Sequence, residues 1–193
     1  MGIQLRKGER IDLTKSNPAL NNVLIGLGWD TKEYDGGQGY DLDASLFLLN
    51  KEGRCEEDRD FIFYNNKVSS DGSINHLGDN RTGDGEGDDE QITVKLSQVK
   101  PEIDKIVVTV TIHDYDVRGQ NFGQVENAFV RLVDEDSGVE ILRFDLGEDF
   151  SIETGVVFCE LYRHGVDWKF NAVGAGYSGG LGALVSKYGL SAN

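Results

Sequence analysis

The segment 71–90, DGSINHLGDNRTGDGEGDDE, limits the fold more than any other part of the chain. It carries seven carboxylates (Asp71, Asp79, Asp84, Glu86, Asp88, Asp89 and Glu90) and five glycines against one arginine, Arg81. Crowded carboxylates repel one another, and a folded domain has little reason to gather them unless a cation is expected. Glycine lets the backbone turn sharply and aim its carbonyls inward. Carboxylates and carbonyls on such a loop suit a hard cation, and Ca2+ accepts roughly six to eight oxygen ligands. The competing reading is an acidic, solvated loop.

On either side of this segment the pattern is short apolar runs separated by Gly, Asp and Asn clusters. Strands are expected at 23–29, 42–49, 60–65, 91–96, 105–113, 125–133, 139–144, 156–163 and 168–173. Ile106, Val108, Val110 and Ile112 fall on one face of their strand, with Lys105, Thr109 and Thr111 on the other. One helix is expected at 181–188, closed by Gly189. The expected fold is all-β: a single-domain antiparallel β-sandwich over 1–193, with long acidic loops at one end and a short C-terminal helix.

Strand parity predicts which loops meet. If successive strands reverse direction, the connections 30–41, 66–90, 114–124 and 147–155 gather at one end with the C-terminal segment. The acidic loop then lies beside Asp41, Asp43 and Asp114. Leu42, Ala44, Leu46 and Leu48 point to the core, so Asp41 and Asp43 share the other face, roughly 6.6 Å apart at the usual strand rise. Asn65, at the mouth of the 66–90 connection, is either a Ca2+ ligand through its amide oxygen or a turn former.

The formal net charge is −15, and segment 71–90 supplies −6 of it, seven acids less one arginine. Such a chain repels phosphate backbones, which argues against nucleic acid as a partner, and disfavours anionic lipid unless a divalent cation bridges the two. Cys55 and Cys159 form no CxxC and are expected to be unpaired thiols. No run reaches the roughly eighteen apolar residues of a membrane span, and the N-terminus lacks an apolar signal region. A cytoplasmic protein without membrane insertion is expected.

Several templates fail. An EF-hand starting at Asp79 would need ligands where Arg81 and Gly83 stand. Gly174–Gly179 matches GxGxxG, yet no acid follows Asp167. The GxSxG at 176–180 has no acid or histidine after it. No catalytic residue is assigned, and His76, His113 and His164 show no zinc spacing.

The chain resembles the TerD family of tellurite-resistance and stress-response proteins. The resemblance rests on GLGWD at 26–30, DLDAS at 41–45, FIFYNN at 61–66, GDNRTG at 78–83 and GDDE at 87–90. It continues through TIHD at 111–114, NFG at 121–123, GVV at 155–157, ELYR at 160–163 and WKF at 168–170, and so covers essentially the whole chain. It implies a Ca2+-binding β-sandwich holding two ions, with no established catalytic activity. Asp71, Asp79, Asn80, Asp84, Glu86, Asp88, Asp89 and Glu90 match the family's acidic motif; Asp41, Asp43, Asn65 and Asp114 match motifs beside it. The resemblance also implies other Ter-type proteins, and a TerC-like membrane protein, as partners.

The leading expectation is therefore a Ca2+-dependent sensor or assembly module in stress response. The alternatives are a metal-dependent hydrolase or phosphotransfer enzyme using the same acids, and a plain interaction module whose acidic loop merely solubilises.

Overall fold

The computed structural model describes residues 2–31, 39–79, 87–147 and 150–191, and of Asp79 the backbone alone. It is a sandwich of two six-stranded sheets. The strands are β1 (Ile3–Leu5), β2 (Arg10–Asp12), β3 (Asn22–Thr31), β4 (Leu42–Leu49), β5 (Phe61–Ile62) and β6 (Ile74–Asp79). They continue as β7 (Glu90–Lys95), β8 (Lys105–Ile112), β9 (Val125–Asp134), β10 (Val139–Asp145), β11 (Gly155–His164) and β12 (Asp167–Tyr177). One sheet runs β1-β10-β9-β3-β7-β6 and the other β2-β12-β11-β8-β4-β5. Every pairing is antiparallel except that of β1 with β10.

The period-two pattern builds the core. Val23, Ile25 and Leu27 of one sheet face Leu42, Ala44, Leu46, Leu48, Ile106, Val108 and Val110 of the other, all buried. The opposite face of β4 and β8 departs from expectation. Phe47, Leu49, Val107, Thr109 and Thr111 are buried as well. Helix α2 (Gly180–Lys187) lies over this face, and its Leu184 and Val185, with Tyr188, close a second apolar cluster around Phe47, Leu49, Val107 and Cys55. Thr109 is polar but satisfied: its Oγ1 and Ser45 Oγ stand 2.9 Å apart. Gly189 ends the helix at φ +91°, with Leu190 N–H donating to Val185 O at 3.0 Å and Gly189 N–H to Ser186 O at 3.2 Å. That pair of bonds is the Schellman arrangement.

Three strands were not expected. β1 and β2 are three-residue edge strands, too short to show a period. β6 lies inside the long connection 66–90. The strand expected at 60–65 shrinks to Phe61–Ile62, because the chain turns at once: Phe63 and Asn66 exchange backbone hydrogen bonds of 3.1 and 2.9 Å. β12 runs on into the GxGxxG match, so Gly174 and Gly176 are strand residues. No described helix is long and apolar enough to cross a membrane.

Candidate functional site

The end of the sandwich where β3, β6 and β8 finish and β4 and β7 begin collects most of the acids singled out above. β4 pairs with β8 so that Leu42 stands opposite Ile112, and His113 N–H donates to Asp41 O at 2.8 Å. Asp43 Oδ2 is then 3.6 Å from His113 Nδ1, and Asp114 Oδ2 is 3.5 Å from His113 Nε2. Asp114 takes a left-handed backbone, φ +52°, as it caps the short helix α1 (Tyr115–Arg118). Tyr64 sets its ring edge-on to His113 at 6.5 Å. Two clefts share Asp43 and Tyr64: one of ≈ 210 Å3 toward His113, Asp114 and Tyr115, another of ≈ 360 Å3 toward Lys67, His76 and Glu90.

The acidic segment returns to the sheet through three successive carboxylates, each bonded to different strands. The Asp88 side chain is fully buried and accepts two hydrogen bonds from Arg131 of β9, from Nε at 2.7 Å and Nη2 at 2.9 Å, and one from Gln91 Nε2 at 2.9 Å. The Asp88 hydrogen bond, more than the opposing effect of burial, holds Arg131 above its ordinary value. Its carboxylate occupies space left by Gly26 of β3, where a Cβ would stand 2.3 Å from it. Asp89 bonds to β3 twice: its N–H donates to Leu27 O at 2.7 Å, and its Oδ2 accepts from Trp29 N–H at 2.8 Å.

Glu90 enters the interior beside β4 and β6. Ala44 N–H approaches its two oxygens at 3.1 and 3.2 Å, and His76 Nε2 lies 3.0 Å from Oε2. His76 is itself buried, with Nε2 also 3.1 Å from Ala44 O, while Gly78 N–H donates to Nδ1 at 3.1 Å. The proton therefore belongs on Nε2. Burial pushes the imidazole down, but the Glu90 hydrogen bond and charge outweigh it and hold His76 above its ordinary value.

One expected site residue does not join this end. Asp71 lies at the opposite end, because β6 carries the chain back across the sheet: Ile74 pairs with Val94 and Val94 with Val23. There Asp71 accepts from Ser69 Oγ and Ser73 Oγ at 2.6 Å, Ser73 N–H at 2.9 Å and Lys100 N–H at 3.0 Å. Burial raises its pKa, but these bonds win and lower it to about 2. Asn65 sits exposed in the tight turn after β5, while its neighbour Asn66 donates to Phe61 O at 2.7 Å. Asp79 places its backbone opposite Glu90. Asn80, Asp84 and Glu86 lie outside the described residues.

Among the described residues, no three His, Cys, Asp or Glu side chains come together to hold a metal ion. The described acids alone thus do not form a cage for Ca2+. Asp88 and Glu90 are engaged by Arg131 and by Ala44 and His76, which suits them to anchoring the segment. What the geometry offers is a fixed root for the acidic segment, at the same end as Asp43 and Asp114.

The residues missed from sequence are Arg131, Gly26 and His76. Gly26 carried a usable signal, since glycine inside a strand often marks the close approach of another group. His76 and Arg131 carried none, because their partners are fourteen and forty-three positions away.

The motifs that frame this end recur in known proteins. The TerD domain model matches residues 1–188. The chain belongs to the TerD family. Over 190 residues it is 63% identical to uncharacterized protein YceE of Bacillus subtilis (strain 168), covering 98% of this chain and 99% of that protein. General stress protein 16U of the same organism is 56% identical over 190 residues, 98% of each chain. The tellurium resistance protein TerD of Serratia marcescens is 54% identical over 193 residues, the full length of both. Among solved structures, a TerD homologue from Streptomyces coelicolor A3(2) superposes with a TM-score of 0.66 at 26% identity, over 87% of this chain and 96% of that one. As a TerD family member, the chain is placed among tellurite-resistance and general stress proteins, and these matched relatives carry no enzyme names.

Proposed function

We propose that this protein is a non-catalytic, Ca2+-binding module of the tellurite-resistance stress response. In this reading, segment 79–90 binds two Ca2+ ions through Asp79, Asn80, Asp84, Glu86 and Asp89, with Asp41, Asp43 and Asp114 at the mouth. Asp88 and Glu90 hold the segment's root, and Asp71 takes no part.

The observation that carries the proposal is the bonding of Asp88, Asp89 and Glu90 to separate strands. It fixes where a glycine-rich acidic segment meets the sheet, so less order must be imposed when a cation arrives. It also concentrates like charges at one end, a repulsion that a divalent cation relieves. Loaded with Ca2+, this end would present a stiff surface for another family member or for a TerC-like membrane protein.

Titration calorimetry with Ca2+ and Mg2+, paired with melting curves, tests the proposal. Ca2+ binds with a stoichiometry of two and raises the melting temperature, because a ligand that binds only the folded state stabilises it. Mg2+ binds more weakly, since it demands tight octahedral geometry and sheds water reluctantly. No heat with Ca2+ and an unchanged melting curve after chelation would sink it.

A further inference from the structure

The end of the sandwich remote from Asp43 and Asp89 holds a cleft of ≈ 480 Å3. It opens between the segment before β3, the turn after β7 and the β11–β12 hairpin. Pro18, Leu20, Val99, Val166 and Trp168 give it apolar walls, and among the described residues Arg163 is the only charged one that lines it. The chain has 34 aspartates and glutamates, yet none of those described lines this cleft.

Arg163 is held in place with one arm to spare. Its guanidinium lies over the Trp168 ring at 4.4 Å. Nε donates to Ile103 O at 2.8 Å, and Nη2 to Val99 O at 2.8 Å and Lys100 O at 3.2 Å. Among the described residues Nη1 has no hydrogen-bond partner, and no carboxylate pairs with the guanidinium. Burial holds this arginine below its ordinary value, with Asp104 the only acid opposing the shift. Carbonyls orient the cation without neutralising it.

We propose that this cleft binds an organic carboxylate, its anionic head on Nη1 of Arg163 and its apolar body against Trp168, Pro18 and Val166. The pre-set guanidinium gives up little rotamer freedom on binding. Partial desolvation strengthens its attraction for an anion, and the volume falls in the usual range for small-ligand sites. An inorganic oxyanion fits less well, because it would leave Pro18, Val99 and Val166 uncovered. The site lies far from the acidic segment, so screening at physiological salt removes most of the repulsion an anion would otherwise meet.

The test is a 15N-edited NMR titration of the full chain with hexanoate, with hexanamide as its uncharged counterpart. Hexanoate shifts the signals of Leu20, Ser97, Val166 and the Trp168 indole, and hexanamide binds about tenfold more weakly or less. Ala19→Trp fills the cleft from its exposed rim without touching Arg163, and abolishes the shifts. Arg163→Lys, which keeps the charge but loses the fork, weakens binding. A Gly-Gly-Leu peptide with a free or amidated C-terminus distinguishes the source: tighter binding of the free peptide than of hexanoate marks a chain end, and weaker binding marks a small acid. Equal binding of hexanoate and hexanamide, shifts scattered over the surface, or unchanged binding by Ala19→Trp would each overturn the proposal. These outcomes would mean that Arg163 only staples the turn at 99–103.

Discussion

Arg131 grips Asp88 through Nε and Nη2 of its guanidinium, at 2.7 and 2.9 Å, and thereby ties the acidic segment to the centre of a sheet. The Asp88 side chain has no exposed surface, whereas that of Arg131 keeps 29% of its own. Removing one partner leaves a buried charge without compensation, which typically costs 3–5 kcal/mol when both are dry; the exposure of Arg131 trims this to about 2–3 kcal/mol. Asp88→Asn and Arg131→Met are therefore expected to lower the melting temperature by roughly 5–10 °C for a domain of this size. Calcium stoichiometry stays unchanged in Asp88→Asn, because Asp88 anchors and does not ligate. Calorimetry on that variant decides between the two roles.

Gly26→Ala probes the same contact from the other side. The new Cβ would stand 2.3 Å from the Asp88 carboxylate, so the segment's root must lift. Overpacking of this kind typically costs about 1–3 kcal/mol. Amide exchange should accelerate at Asp88, Asp89 and Glu90 while β4 and β8 keep their protection. Unchanged exchange at these three amides would show that the root is not seated on Gly26.

Asp71 supplies the acid-pH prediction. Its folded pKa of about 2 lies below the unfolded value of about 3.9. A depressed carboxylate contributes stability that is present above the unfolded pKa and lost as pH falls through the folded one. Asp71→Asn should thus lower the urea midpoint at neutral pH, and the gap from the wild type should close between about pH 4 and pH 2. Calcium binding should be unaffected, since Asp71 sits at the opposite end from Asp43 and Asp89.

The thiols are expected to be silent in the native state. Cys55 and Cys159 are both buried and free, and burial pushes the Cys55 thiol up to about 12 and raises that of Cys159 as well. Reactivity requires the thiolate. Ellman's reagent should titrate neither cysteine in the folded protein and both in urea. A rapid native reaction would show that the thiols are not shielded by burial.

Much of the fold was legible because burial on one face imposes a period of two. Leu42, Ala44, Leu46 and Leu48, with Ile106, Val108 and Val110, announced β4, β8 and the core they form. Gly189 announced the end of α2. β6 was hidden because INHLGD mixes a buried histidine, a glycine and an acid, so its polar residues mimic a loop. The burial of Thr109 and Thr111 was hidden because nothing in a strand's own sequence reveals that a helix will cover it.

The sequence by itself determined the class of fold and the location of the acidic segment. These follow from local composition and periodicity, which act over a few residues. Only the tertiary structure decided which acids are anchors. Asp88 and Glu90 look alike in the run GDDE, yet one is closed under Arg131 and the other against His76. Asp71, in the same acidic segment, ends at the far side of the molecule. A carboxylate's role depends on the partner that strand pairing brings to it, and those partners lie up to forty-three positions away in the chain.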